Sequence, residues 1–256
     1  MRAPDILHAG TAIMTTKRLL LGMLTPSSNT VLEPVTSAML AGLDDASVHF
    51  GRFPVTEIAL SDRALAQFDD APILRAAELL GHGKMDVICW NGTSSGWLGF
   101  EADRELCRRI EAATGIPACT SVLALNEIFE RTNVKNYAMV TPYTDDVQAR
   151  ILANYAQAGY TCVAERHLGK RDNFSFSEVD ADTLRAMVRE AAAARPDAIS
   201  IFCTNLRGAP LVEELEREVG IPIYDTIATA VWKSLRMAGG DARRVRGWGS
   251  LFKEVA

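Results

Sequence analysis

Cysteine, histidine and aromatic residues are scarce in this 256-residue chain, and their spacings exclude several common chemistries. The five cysteines, at 89, 107, 119, 162 and 203, form no CxxC and no paired framework, so a disulfide scaffold is excluded and a reducing cytoplasm is expected. The four histidines, at 8, 49, 82 and 167, lack metal-ligand spacing, and no metal is expected. No GxGxxG or GxxxxGK[ST] occurs, no lysine stands beside a strand end as a pyridoxal Schiff base would need, and no cofactor is expected. Aromatics make up only 7%, and Trp90, Trp97, Trp232 and Trp248 read as core or pocket wall rather than a stacking face for nucleic acid. A net charge of −5 argues against nucleic acid or an anionic membrane as a partner. The apolar runs are too short to span a bilayer. Residues 1–17 carry Pro4 and Asp5 early and Lys17-Arg18 late, the wrong order for a signal peptide, and read as an N-terminal extension. Low-complexity segments and Pro/Gly/Ser-rich linkers are absent too.

What is there is a repeat. Thr25-Pro26 follows an apolar run, then come Asp86-Val87-Ile88-Cys89-Trp90-Asn91-Gly92-Thr93 and Gly115-Ile116-Pro117. Thr141-Pro142 follows a second apolar run, then come Asp197-Ala198-Ile199-Ser200-Ile201-Phe202-Cys203-Thr204 and Gly220-Ile221-Pro222. Strands are expected at Leu19–Leu24, Ser47–Arg52, Asp86–Asn91 and Ala118–Thr120, then at Tyr137–Val140, Thr161–Arg166, Ala198–Phe202 and Ile223–Tyr224. Helical patterns fill Leu74–His82, Glu101–Thr114, Val122–Arg131, Asp145–Ala158, Asp180–Ala194, Pro210–Val219 and Thr226–Ala238. Strands alternating with helices predict an α/β fold: two pseudo-two-fold-related halves, each a parallel four-stranded sheet flanked by helices. The expected halves are 18–134, with 226–256 packing back onto it, and 135–225, with the site in the cleft between them.

Strand carboxyl ends then select the candidate residues. Cys203 ends a strand where backbone amides lower a thiol pKa and bind anions, and its repeat-mate is Gly92. Buried structural cysteine is the commoner role, and Cys89, Cys107, Cys119 and Cys162 fit it. Gly92-Thr93-Ser94-Ser95-Gly96 reads both as a helix N-cap and as an oxyanion site for a carboxylate. Ser28, Asn29 and Tyr143 lie on the paired loops after Thr25-Pro26 and Thr141-Pro142 and add neutral donors. Asn173, in Arg171-Asp172-Asn173-Phe174, is a weaker candidate.

These motifs resemble the aspartate/glutamate racemase superfamily, in its arylmalonate decarboxylase and maleate isomerase branch. The resemblance rests on Pro26-Ser27-Ser28-Asn29-Thr30, Gly92-Thr93-Ser94, Thr141-Pro142-Tyr143-Thr144-Asp145-Asp146, Cys203-Thr204-Asn205 and Trp248-Gly249-Ser250-Leu251-Phe252, and runs from Leu19 to Phe252. It implies two cysteines, one per half, in racemases and isomerases. Gly92 replaces the first here, as in the decarboxylases. It also implies that Gly92-Thr93-Ser94 and Tyr143 bind a carboxylate while Cys203 donates a proton. Asn29 and Asn173 resemble the carboxylate-holding asparagines of maleate isomerase, and Ser28, Thr204 and Asn205 join the expected substrate contacts.

The expected reaction is cofactor-independent decarboxylation of a substituted malonate or similar small dicarboxylate, through an enediolate protonated by one cysteine. A maleate-type isomerase or small-acid racemase is one alternative, and a non-catalytic small-acid binding protein another. The partner expected is a small carboxylate, and a homo-oligomer is left open. A thiol placed at position 92 is expected to reopen the second face of the substrate to protons.

Overall fold

The computed structural model describes residues 17–58, 60 and 70–255. Two parallel four-stranded sheets carry it. The first, in the order β2-β1-β3-β4, contains β1 (Leu19–Pro26), β2 (Ala46–Phe53), β3 (Val87–Trp90) and β4 (Ala118–Thr120). The second, in the order β6-β5-β7-β8, contains β5 (Asn136–Thr141), β6 (Thr161–His167), β7 (Ala198–Ile201) and β8 (Ile223–Asp225). The two orders are the same once four is added to each strand number, so the sequence repeat is a repeat of the fold. The α/β architecture expected from the alternating pattern is the one found. Residues 1–16, nearly all of the expected extension, lie outside the described residues.

Several repeated residues turn out to be the joints of this architecture. Asp86 and Asp197 open the central strands β3 and β7. Asp86 Oδ2 accepts from the Leu20 amide at 2.9 Å, and Asp197 Oδ2 accepts from Lys135 and Asn136 at 2.9 and 2.8 Å. Each carboxylate thereby satisfies the orphan amides where the neighbouring strand begins. The Gly-Ile-Pro repeats are helix ends. Gly115 and Gly220 take φ of 69° and 70°, the left-handed conformation that closes a helix and that side chains disfavour.

The helices are α1 (Leu32–Leu40), α2 (Asp70–His82), α3 (Ser95–Leu98), α4 (Phe100–Thr114), α5 (Ser121–Arg131), α6 (Asp145–Gln157), α7 (Asn173–Phe176), α8 (Ala181–Ala192), α9 (Val212–Val219), α10 (Thr226–Met237) and α11 (Leu251–Glu254). Helix α1 was not among the expected elements. Its buried residues, Leu32, Thr36, Met39 and Leu40, follow helical spacing, but Thr36 is polar and Pro34 interrupts the pattern. Pro34 sits in the first turn, where its missing N–H is not needed. The pattern from Pro210 divides into a 3₁₀ turn, Ala209–Leu211, and α9. Helix α10 packs on α5 and on strands of the first sheet, and Thr229 Oγ1 donates to the Ser121 carbonyl at 2.8 Å. Among the described residues no helix is long and apolar enough to cross a membrane.

Candidate active site

Strands β3 and β7 end at Trp90 and Ile201, and the chain beyond each turns into the space between the sheets. From one side come Gly92, Thr93 and Ser94, and from the other Cys203, Thr204 and Asn205. Ser94 is the N-cap of α3 but makes no capping bond with its hydroxyl, which leaves that oxygen free for a ligand. Tyr143 enters from the loop after β5. Its hydroxyl pairs with Thr93 Oγ1 at 2.6 Å, across the boundary between the halves. The ring is held edge-on by Trp97 and Phe176, at centroid distances of 5.4 and 5.7 Å. Thr93, Tyr143 and Cys203 thus form one buried line drawn from both halves.

Electrostatics keep this line protonated. Burial pushes the Cys203 thiol up to about 12, against opposing pulls from the Tyr143 hydroxyl and the Asn205 amide, whose nitrogen is 3.4 Å from Sγ. The amide environment was expected to lower the thiol pKa. It does pull that way, but loss of water outweighs it. Tyr143 is likewise raised well above its ordinary value, first by burial and then by the neighbouring thiol. Both groups are therefore donors at neutral pH rather than bases.

The remaining sequence candidates divide into two sets. Gly92, Thr93, Ser94, Tyr143, Asn173, Cys203 and Thr204 line one cavity together with Pro26, Val55, Ile58, Trp90 and Trp97. Ser28, Asn29 and Asn205 do not line it, and their polar atoms join the halves instead. Asn29 Nδ2 donates to Thr204 O and Oγ1 at 3.1 and 3.2 Å, while its Oδ1 accepts from Val31 and Leu32. Asn205 Oδ1 accepts from the Thr30 amide at 3.1 Å, and its Nδ2 donates to the Asn173 carbonyl. Asn173 Nδ2 donates to Ser28 Oγ at 2.8 Å, and that hydroxyl donates to Val55 O at 2.6 Å. Ser28, Asn29 and Asn205 thus form a hydrogen-bonded latch between the halves, next to the cavity-lining Thr204 and Asn173. The apolar lining from Val55 and Ile58 had no signal in the sequence, since both lie on an irregular stretch after β2.

The cavity is about 20 Å³, roughly enough for one water. One wall is a strap, Val55 to Ile58, that crosses to the second half. There Glu57 and Asp172 form an antiparallel bridge, Ile58 N donates to Arg171 O at 2.9 Å, and Asn173 N donates to Thr56 O at 3.0 Å. Substrate entry is expected to part this bridge. A disulfide between Glu57→Cys and Asp172→Cys spans a directly paired position, within the reach of such a bond. Its oxidised form is expected to lose at least about tenfold in kcat/KM, with recovery on reduction and no change in the similarly treated parent. A locked strap with full activity would place the entrance elsewhere.

Two buried carboxyls lie near the site without lining it. Asp225, at the end of β8, uses Oδ1 to cap α10 through the Ile227 amide at 2.8 Å, and burial raises its pKa from 3.8 to about 7. Asp103, on α4 beside Thr120 and Ser95, is raised by burial from 3.8 to about 6. Between pH 4 and 7 the unfolded chain releases these protons while the folded chain holds them. Stability therefore falls as pH rises through that window, by about 1.4 kcal/mol for each tenfold difference in proton affinity. The Tm is expected to fall from pH 5 to 7.5, and Asp225→Asn with Asp103→Asn to flatten that slope. A parent Tm that rises across the same interval would contradict this.

A larger groove of about 330 Å³ lies at Glu213, Glu216, Arg217, Ser250, Lys253 and Glu254. Its three carboxylates outnumber its two cations, which suits an anionic substrate poorly.

The family model for arylmalonate decarboxylase matches residues 22–252. The arylmalonate decarboxylase of Bordetella bronchiseptica is 31% identical over 171 residues, 66% of this chain and 71% of that protein. The maleate isomerase of Nocardia farcinica is 25% identical over 226 residues, 84% of this chain and 88% of that one. In the crystal structure of a maleate isomerase from Pseudomonas putida S16 the fold superposes with a TM-score of 0.86 at 22% identity, covering 94% of this chain and all of the other.

Proposed function

This chain belongs to the arylmalonate decarboxylase family, and we propose that it decarboxylates a substituted malonate at Cys203. The observation that carries the reading is the pairing of one cavity-lining thiol, Cys203, with Gly92 at the equivalent position of the other half. In the first step the bond from the α-carbon to one carboxylate breaks and CO₂ leaves. The electron pair delocalises into the second carboxylate as an enediolate. Ser94 and the hydrogen-bonded Thr93–Tyr143 pair, which keeps one hydroxyl proton for the substrate, are the donors for the developing charge, and each well-placed donor stabilises it by roughly 3–4 kcal/mol. Pro26, Val55, Ile58, Trp90 and Trp97 supply apolar surface that solvates an ionised leaving carboxylate poorly. In the second step the Cys203 S–H passes its proton to the α-carbon, and the thiolate recovers a proton from water.

Cis–trans isomerisation of a maleate-like diacid is the second reading. Asn173 in the cavity wall and Asn29 behind it favour it, as does a maleate isomerase relative aligned over 84% of this chain. The two part on a simple assay. Substituted malonates, maleate and amino acids are supplied separately in D₂O. CO₂ release from a malonate supports decarboxylation. Conversion of maleate without CO₂ release contradicts it and supports isomerisation, and deuterium entering an amino acid without either marks a racemase.

A further inference from the structure

Gly92 is surrounded in a way that the missing thiol alone does not explain. A Cβ built on it falls within the Trp90 indole, 2.6 Å from Cε2 and closer still to Cζ2 and Cη2. The equivalent strand-end residue of the second half is Ile201, and its side chain packs toward Gly208, with Cγ2 2.7 Å from the point a Gly208 Cβ would occupy. Cys203 therefore keeps its place in the cavity, whereas on the other side an indole fills the volume a side chain at 92 would need. Trp90 is 1% exposed, lines the cavity and is wedged against Phe53 at a centroid distance of 5.1 Å, so its ring has little freedom to move aside.

We propose that Trp90 is the residue that restricts this site to one face of the substrate, by occupying with its indole the volume opposite Cys203 where a second acid would stand. The proposal rests on the decarboxylase reading and deepens it. Protonation from the Cys203 side is then enforced twice, by a donor on that side and by a carbon wall on the other. This alters the expectation for a thiol at position 92: it fails while Trp90 remains and succeeds once the ring is trimmed.

The test moves the acid in two stages, on a malonate whose CO₂ release by the parent has been measured first. If the parent releases none from any malonate, the decarboxylase reading fails before this comparison begins. In a Cys203→Ser background, Gly92→Cys alone is expected to leave turnover below about 1% of the parent. Adding Trp90→Leu is expected to raise it at least tenfold over Gly92→Cys alone, and the product should have the hand opposite to the parent's. Trp90→Phe is run in parallel, since it keeps more of the core filled. Near-ultraviolet circular dichroism identifies the folded variants, and either suffices. Two results would overturn the proposal. One is a Gly92→Cys, Cys203→Ser variant that already inverts the product with Trp90 in place. The other is a folded Trp90-trimmed variant no more active than its parent double variant, or making the original enantiomer.

Discussion

Replacing Cys203 with serine is expected to lower kcat by about 10²–10⁴-fold, the usual contribution of a positioned general acid, while the protein stays folded. Serine has nearly the same shape, and its oxygen can still accept from the Asn205 amide that now meets Sγ at 3.4 Å. What it lacks is a proton that carbon can take readily, because a hydroxyl is a far weaker acid than a thiol. The parent should also show an unusual pH profile. A free thiol near 8.5 is half ionised at that pH and would lose half its donor activity there. Cys203 is held up to about 12 by burial, so the protonated form persists, and kcat should stay level from pH 7 to 10. A decline centred near 8.5 would mean that water reaches the thiol freely. Cys89→Ser provides the contrast. Cys89 is fully buried inside β3, and the substitution should lower stability while leaving the kcat of the folded fraction intact.

Thr93→Ala and Tyr143→Phe are expected to lower kcat by about 10²–10³-fold each, with KM changing by less than about tenfold. The two hydroxyls meet at 2.6 Å, and removing either leaves the other without its partner in a buried site. Their interaction with substrate strengthens as charge moves from the breaking bond onto the remaining carboxylate, so the loss belongs in kcat. Because they act as one unit, the double variant should fall little further than the worse single one. Ser94→Ala should follow the same pattern without harming α3, since that hydroxyl makes no capping bond. A rise in KM with unchanged kcat in all three would move charge stabilisation to other groups.

The architecture was legible because its repeat is written in joints as well as in apolar runs. Asp86 and Asp197, then Gly115 and Gly220, mark strand starts and helix ends that any sequence of this topology must satisfy. The cleft was legible because strand ends in such a fold point to one place, and Thr93, Tyr143 and Cys203 were each found on one. Less could be read where function depends on direction rather than position. Asn29 and Asn205 follow the expected strand ends, yet their amides are taken up in bonds that tie the halves together, to Thr204 and to Thr30. The strap from Val55 to Ile58 carries no periodic pattern, and its partners Arg171 and Asn173 lie more than a hundred residues away. Trp90 was legible as core or pocket wall, but its collision with position 92 depends on a side-chain direction that no spacing encodes.

One thiol is expected to deliver one proton to one face of the substrate. Turnover in D₂O of a malonate bearing two different substituents tests it most directly, with the product analysed by NMR and chiral chromatography. The expected product carries one deuterium on the α-carbon, is a single enantiomer, and shows no further exchange when incubated again with the enzyme. A racemic product, or continued deuterium exchange at the α-carbon of isolated product, would contradict it.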